Sequence, residues 1–205
     1  DITAFAGSSL AHDRGERNLF NAAGKEGIVH MIPIKKSVEL PELAKTATKS
    51  QVNFHQVHLF TKEQFDNAHK TFAKIQTELP NVKAIFINVD LPVLGNREKD
   101  VKNRAIEELN GNFEGVKLAK KNQEYFRLKW KDLQTLQTKT ALPIILKGVL
   151  SKDDVIKASK LDFKDVVISN HGGIQLDYAP PPIEVLAEVN RATKTEKLND
   201  GFEIY

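Results

Sequence analysis

Leu142-Pro143-Ile144-Ile145-Leu146-Lys147-Gly148-Val149 is an apolar run with one charge near its end. After Leu150, Ser151-Lys152-Asp153-Asp154 supplies a hydroxyl and two acids, and Val155, Ile156 and Ala158 follow at helical spacing. A serine cap and an acidic first turn favour a helix N-terminus. Asp165-Val166-Val167-Ile168-Ser169-Asn170 then returns to β-branched residues. Strand, helix, strand, with the strands apolar on both faces, predicts a parallel sheet covered by helices.

The alternation extends in both directions. Strand-like runs lie at residues 1–7, 27–34, 51–60 and 83–90, and residues 202–205 open another. Thr61-Lys62-Glu63-Gln64 has the form of a capping box. The helix it starts places Phe65, Ala68, Phe72, Ile75 and Leu79 on one face and stops at Pro80. No Gly-x-Gly-x-x-Gly turn follows a strand, so a dinucleotide fold has no support. The predicted class is α/β, a (β/α)8 barrel of the TIM type. It is incomplete, with about six strands and the start of a seventh where closure takes eight.

Residues 1–205 read as a single partial barrel domain, with a long excursion rich in Lys, Asn and Glu at about 96–129. Open sheet edges invite pairing. Either further strands in a longer chain, or a homo-oligomer or larger assembly, are therefore expected to cover them, or the fold is rearranged. The first residue is Asp1 rather than Met, which suggests a longer precursor.

Composition narrows the function classes. Against 27 acidic residues the 30 Lys+Arg leave a net charge of +3, too little and too dispersed to support nucleic-acid binding. The absence of cysteine excludes a disulfide scaffold, a thiolate metal site and a cysteine nucleophile. No apolar run approaches the roughly 18 residues of a membrane span, so no membrane insertion is expected.

In a parallel barrel the working groups project from the C-terminal strand ends. Those ends carry Gln56 and His58, Asp90, Lys147 and His171. Taken singly each has a plainer explanation: Lys147 as a rim lysine, Asp90 as a turn residue before Leu91-Pro92, His171 as a loop histidine capping a helix. Taken together they suggest a site. His171, in Ser169-Asn170-His171-Gly172-Gly173, could serve as a general base with Asp90 holding its tautomer. His55 and His58 stand three apart on a predicted strand and point to opposite faces, so no metal site is expected.

The run from Leu142 to Val149, then Ser169-Asn170-His171-Gly172-Gly173-Ile174-Gln175-Leu176-Asp177, then Pro182-Ile183-Glu184-Val185-Leu186 resemble the FMN-dependent α-hydroxy acid dehydrogenases. That family includes flavocytochrome-type L-lactate dehydrogenases and glycolate oxidases. Val89-Asp90-Leu91-Pro92-Val93-Leu94-Gly95-Asn96-Arg97, Ala11-His12-Asp13-Arg14-Gly15-Glu16 and Trp130-Lys131-Asp132-Leu133 are similar to further segments of it. The resemblance implies an FMN cofactor and a small L-2-hydroxy acid substrate, lactate-like, oxidised to the 2-oxo acid. It implies His171 as the base, Asp90 as its partner and Arg97 near the substrate. Lys147 and Gln56 would bind the flavin, and Asn88 occupies a flavin-contacting position. A flavocytochrome-like protein would be mitochondrial, and otherwise the cytoplasm is expected.

The departures bear on activity. Ile174 stands where the family has a substrate-binding arginine, and His58 where it has a tyrosine. Asn88 replaces a threonine, Pro33 a serine, and Ala4-Phe5-Ala6 an early Pro-Thr-Ala segment. The family's FMN-phosphate loops would follow Tyr205. A lost arginine–carboxylate pair in a closed site costs roughly 2–5 kcal/mol. The chain is thus expected to turn over lactate poorly or not at all. The alternative is an inactive relative serving as a binding or structural subunit.

Overall fold

The computed structural model describes residues 3–93 and 125–205. Arg97 and most of the expected excursion at 96–129 lie outside the described residues. Six parallel strands form one sheet: β1 His30–Ile32, β2 Asn53–Val57, β3 Val82–Asn88, β4 Ile144–Val149, β5 Asp165–Ile168 and β6 Glu203–Ile204. Their spatial order is β1-β2-β3-β4-β5-β6, each strand beside its sequence neighbour. A doubly wound sheet reverses direction at a switch point. Among the described residues this one never does, as in a (β/α)8 barrel, and the six strands described do not close the barrel.

Helices fill the connections: α1 Arg17–Glu26, α2 Leu40–Ala44, α3 Lys62–Asp66, α4 Ala68–Glu78, α5 Trp130–Gln137, α6 Lys152–Lys160 and α7 Pro182–Ala192. The capping box at Thr61 is present in both directions. Ser151 accepts from the Asp154 backbone N–H at 3.1 Å, so the second expected cap also forms. The helix expected from Thr61 to Pro80 is broken at Asn67 (φ −88°, ψ 7°), which ends α3 and starts α4. Asn67 Nδ2 donates to the Glu63 carbonyl at 3.1 Å, a local bond that competes with the helical ladder.

Residues 3–7 do not form the expected first strand. Gly7 turns the chain at φ 65° into a 3-10 turn, Ser8–Leu10. A buried Glu16 carboxylate pins this segment, accepting from Ser8 N at 3.3 Å and Ser37 N at 2.9 Å. A side-chain anchor thus takes the place of a ladder, and the sheet begins at His30. The C-terminal run supplies β6.

Strand alternation sorts the side chains into two layers. Ile32, Val57, Ile85, Ile87, Ile144, Leu146, Val166 and Ile168 face the helices, where they join Phe20, Leu43, Phe72, Ile75, Leu136, Val155 and Val189 in the main core. Met31, Ala84, Phe86 and Ile145 face the other way, with Phe54, Val167 and Ala4 packed against them. This smaller cluster is the barrel interior. The Phe54 and Phe86 rings, 4.9 Å apart, form its floor.

Two histidines are buried under the helices. Burial pushes His30 down to about 4 from 6.5, opposed by the Glu16 charge. Burial, assisted by Lys36, pushes His55 down to about 3. Above pH 6.5 both are neutral in either state and contribute no pH dependence. Below it the unfolded chain binds protons that the folded chain refuses, so stability falls with pH between 6.5 and about 4. Each histidine is expected to add up to about 1.4 kcal/mol per pH unit to that slope. Urea midpoints at pH 7.5, 6 and 5 should show it, and a His30→Asn/His55→Gln variant should make it shallower, with the contribution of the likewise buried His58 remaining. Phe72→Ala, at a fully buried site, is expected to lower the unfolding free energy by about 3–5 kcal/mol in the same experiment.

Candidate active site at the barrel mouth

The interior layers change character towards the strand C-termini. Gln56 pairs in register with Phe86, which pairs with Ile145, and Asn88 pairs with Lys147, which pairs with Val167. Among the described residues, polar side chains thus enter an apolar interior in its upper layers. Gln56, Asn88 and Lys147 are all buried, and buried polar groups need partners.

Gln56 Nε2 donates to Asn88 Oδ1 at 3.0 Å, and Asn88 Nδ2 lies 3.0 Å from His58 Nε2. For the last contact to be a hydrogen bond, Asn88 must donate to an unprotonated ring nitrogen. The electrostatics agree. Burial pushes His58 down to about 3, with the charges of His171, Lys35 and Lys147 adding to it against Asp90. Neutral His58 lies 5.4 Å from the Phe60 ring and 6.4 Å from the His171 ring.

His171 follows β5 in a left-handed conformation, φ 59°. Such a backbone on a non-glycine residue is costly and concentrates at functional sites. Ser169 Oγ helps hold it, accepting from the His171 backbone N–H at 3.1 Å. The imidazole Nδ1 meets both Asp90 oxygens, at 3.1 and 3.2 Å. The Asp90 side chain is 6% exposed and that of His171 19%. A carboxylate on Nδ1 leaves Nε2 for chemistry at the mouth.

Lys147 Nζ contacts the same Ser169 Oγ at 3.5 Å. Burial lowers its pKa, and the Asp90 charge works against that shift. The structure therefore gathers Gln56, His58, Asn88, Asp90, Lys147 and His171 at one end of the sheet. It does not bring Ile174 in, which is 66% exposed. His55 faces the helices, away from His58. A cavity of about 610 Å³ opens beside the mouth at His58, Asn88 and Gly148, and runs outward past Leu133 and Trp130. Neither Gln56 nor Lys147 lines it.

Three residues here escaped the sequence reading. Ser169 joins Lys147 to His171. Lys35, just after β1, places its ammonium 5.7 Å from the Phe60 ring centroid. Gly148 lies directly against Asp90. Only the last left a signal, because an isolated glycine inside a strand marks a bulge or a close approach.

Comparison with known proteins identifies the family and the fold. A profile described as FMN-dependent dehydrogenase matches residues 2–201. The chain is 34% identical over 212 residues to an L-lactate dehydrogenase (cytochrome) of Wickerhamomyces anomalus, covering all of this chain and 36% of that protein. It is 30% identical over 205 residues to a peroxisomal (S)-2-hydroxy-acid oxidase of Oryza sativa subsp. japonica, covering 93% of this chain and 54% of the relative. Among solved structures, the flavin-binding domain of baker's yeast flavocytochrome b2 superposes with a TM-score of 0.82 at 31% identity, over 99% of this chain and 49% of that one. The chain spans about a third to a half of the length of these relatives. By sequence and by fold, the chain belongs to the FMN-dependent dehydrogenase family.

Proposed function

We propose that this chain forms part of the active site of an FMN-dependent oxidoreductase that converts a small L-2-hydroxy acid, lactate-like, to the 2-oxo acid. The reading rests on one observation: the Asp90–His171 pair and the buried Lys147 ammonium share one barrel mouth. The residues fit the cofactor. Lys147 is a buried cation whose one polar contact among the described residues is a hydroxyl at 3.5 Å, and such a group favours an anionic or strongly accepting partner. Gln56 spends its amide N–H on Asn88, which leaves its carbonyl for a ring N–H.

His171 Nε2 takes the substrate proton, and Asp90 stabilises the imidazolium through Nδ1. Bound FMN supplies the two-electron acceptor. Lys147 favours negative charge on the flavin pyrimidine edge, and Gln56 orients that edge. Lys35 and Arg97 are the cations we assign to the substrate carboxylate, since Ile174 offers no donor.

A second reading is favoured by Ile174 and His58. An exposed isoleucine and a neutral imidazole, at positions where the resemblance implies an arginine and a phenol, suit a non-catalytic relative held in a larger assembly. Titration with FMN, read by flavin fluorescence, and dye reduction by L-lactate separate the two. The first reading expects binding and turnover. Flavin bound without turnover, even after Ile174→Arg/His58→Tyr, would establish the second.

Under the first reading, His171→Gln is expected to lower turnover by about 10²–10⁴-fold with FMN affinity unchanged. Gln56→Ala should weaken FMN by about tenfold, the equivalent of one hydrogen bond. Lys147→Met should shift the flavin midpoint potential to more negative values.

A further inference from the structure

Gly148 gives β4 a backbone that L-residues rarely adopt, with φ +103°. The ladder to β5 slips here, pairing Lys147 with Val167 and Val149 with Ile168. The bulge coincides with a close approach. A Cβ at position 148 would stand 2.3 Å from Asp90 Cγ, 2.5 Å from Asp90 Cβ and 2.7 Å from Asp90 Oδ1. The Asp90 side chain therefore occupies the space that a side chain at 148 would take.

No rotation of Asp90 would clear that contact, because its own Cβ is among the blocked atoms. The backbone holds this Cβ in place: Val89 N donates to the Lys147 carbonyl at 2.9 Å, tying the chain to β4 one residue before Asp90. From this seat the carboxylate reaches His171 Nδ1 at 3.1 Å. A bare Cα at 148, a tied backbone at Val89 and a buried carboxylate thus converge on one ring nitrogen.

We infer that Gly148 is a positioning residue of the Asp90–His171 pair, seating the carboxylate that fixes the imidazole tautomer. Its consequence for catalysis rests on the reading of that pair given above, whereas the seating itself does not. Ring ¹⁵N spectra of His171 near neutral pH provide the test, with thermal unfolding alongside. The chain as it stands should show one dominant tautomer, protonated at Nδ1. Gly148→Ala should give the mixed tautomers of Asp90→Ala and lower Tm by about 4–10 °C. In an Asp90→Gly background the same Gly148→Ala change should lower Tm by less than half as much, because the clash is gone and only the backbone strain remains. If Gly148→Ala alone does not fold, Asp90→Gly must restore folding. An unchanged His171 spectrum, or a Gly148→Ala penalty indifferent to the Asp90 side chain, would overturn the inference. Altered tautomers with turnover of the FMN-loaded protein unchanged would uphold the seating and remove the pair from catalysis.

Discussion

The barrel mouth depends on the contact between the Asp90 carboxylate and the bare backbone of Gly148. That seat is built at the seam between β3 and β4. A parallel ladder carries the chain up to Val89, and a bulge in the neighbouring strand makes room for the next side chain. The carboxylate then contributes to two groups at once. It meets His171 Nδ1, and its charge opposes the desolvation of Lys147. Moving it by a side-chain width would leave a buried ammonium without its nearby anion and an imidazole without an orienting partner, each of which costs free energy in a low-dielectric mouth.

A gradient along the strands makes that mouth. Phe54 and Phe86 pack ring against ring at the floor, Gln56 stands level with Phe86, and Asn88 and Lys147 sit in the layer above. The apolar floor raises the effective strength of every charge above it. It also keeps His58 neutral, so that the wall beside His171 can accept a hydrogen bond from Asn88 without adding a second positive charge.

Much of this was legible from residue order. The apolar run ending at Val149, the cap at Ser151 and the β-branched run from Asp165 specify strand, helix and strand through local preferences that need no neighbours. Positions at strand ends picked out Gln56, Asp90, Lys147 and His171 because parallel barrels direct those ends to one face. Residues 3–7 misled for the same reason. They read as a strand locally, but the chain turns at Gly7, and the Glu16 carboxylate ties the next residue, Ser8, to the backbone at Ser37. The break at Asn67 was hidden in the same way, since a uniform helical period carries no mark of a side chain that bonds its own turn.

The order of residues alone determined the alternation of strands and helices, the two-faced burial of the strands and the family, because each rests on local pattern or on motif likeness. Tertiary structure decided which polar groups meet. Asp90 and His171 are 81 residues apart, and their hydrogen bond exists only because two strand ends and a bulge bring them together. Lys35 and Ser169 gained their places by the same closure, as did the burial that keeps His58 uncharged. Distances across a sheet depend on register and backbone conformation, and neither is written in any single stretch of the chain.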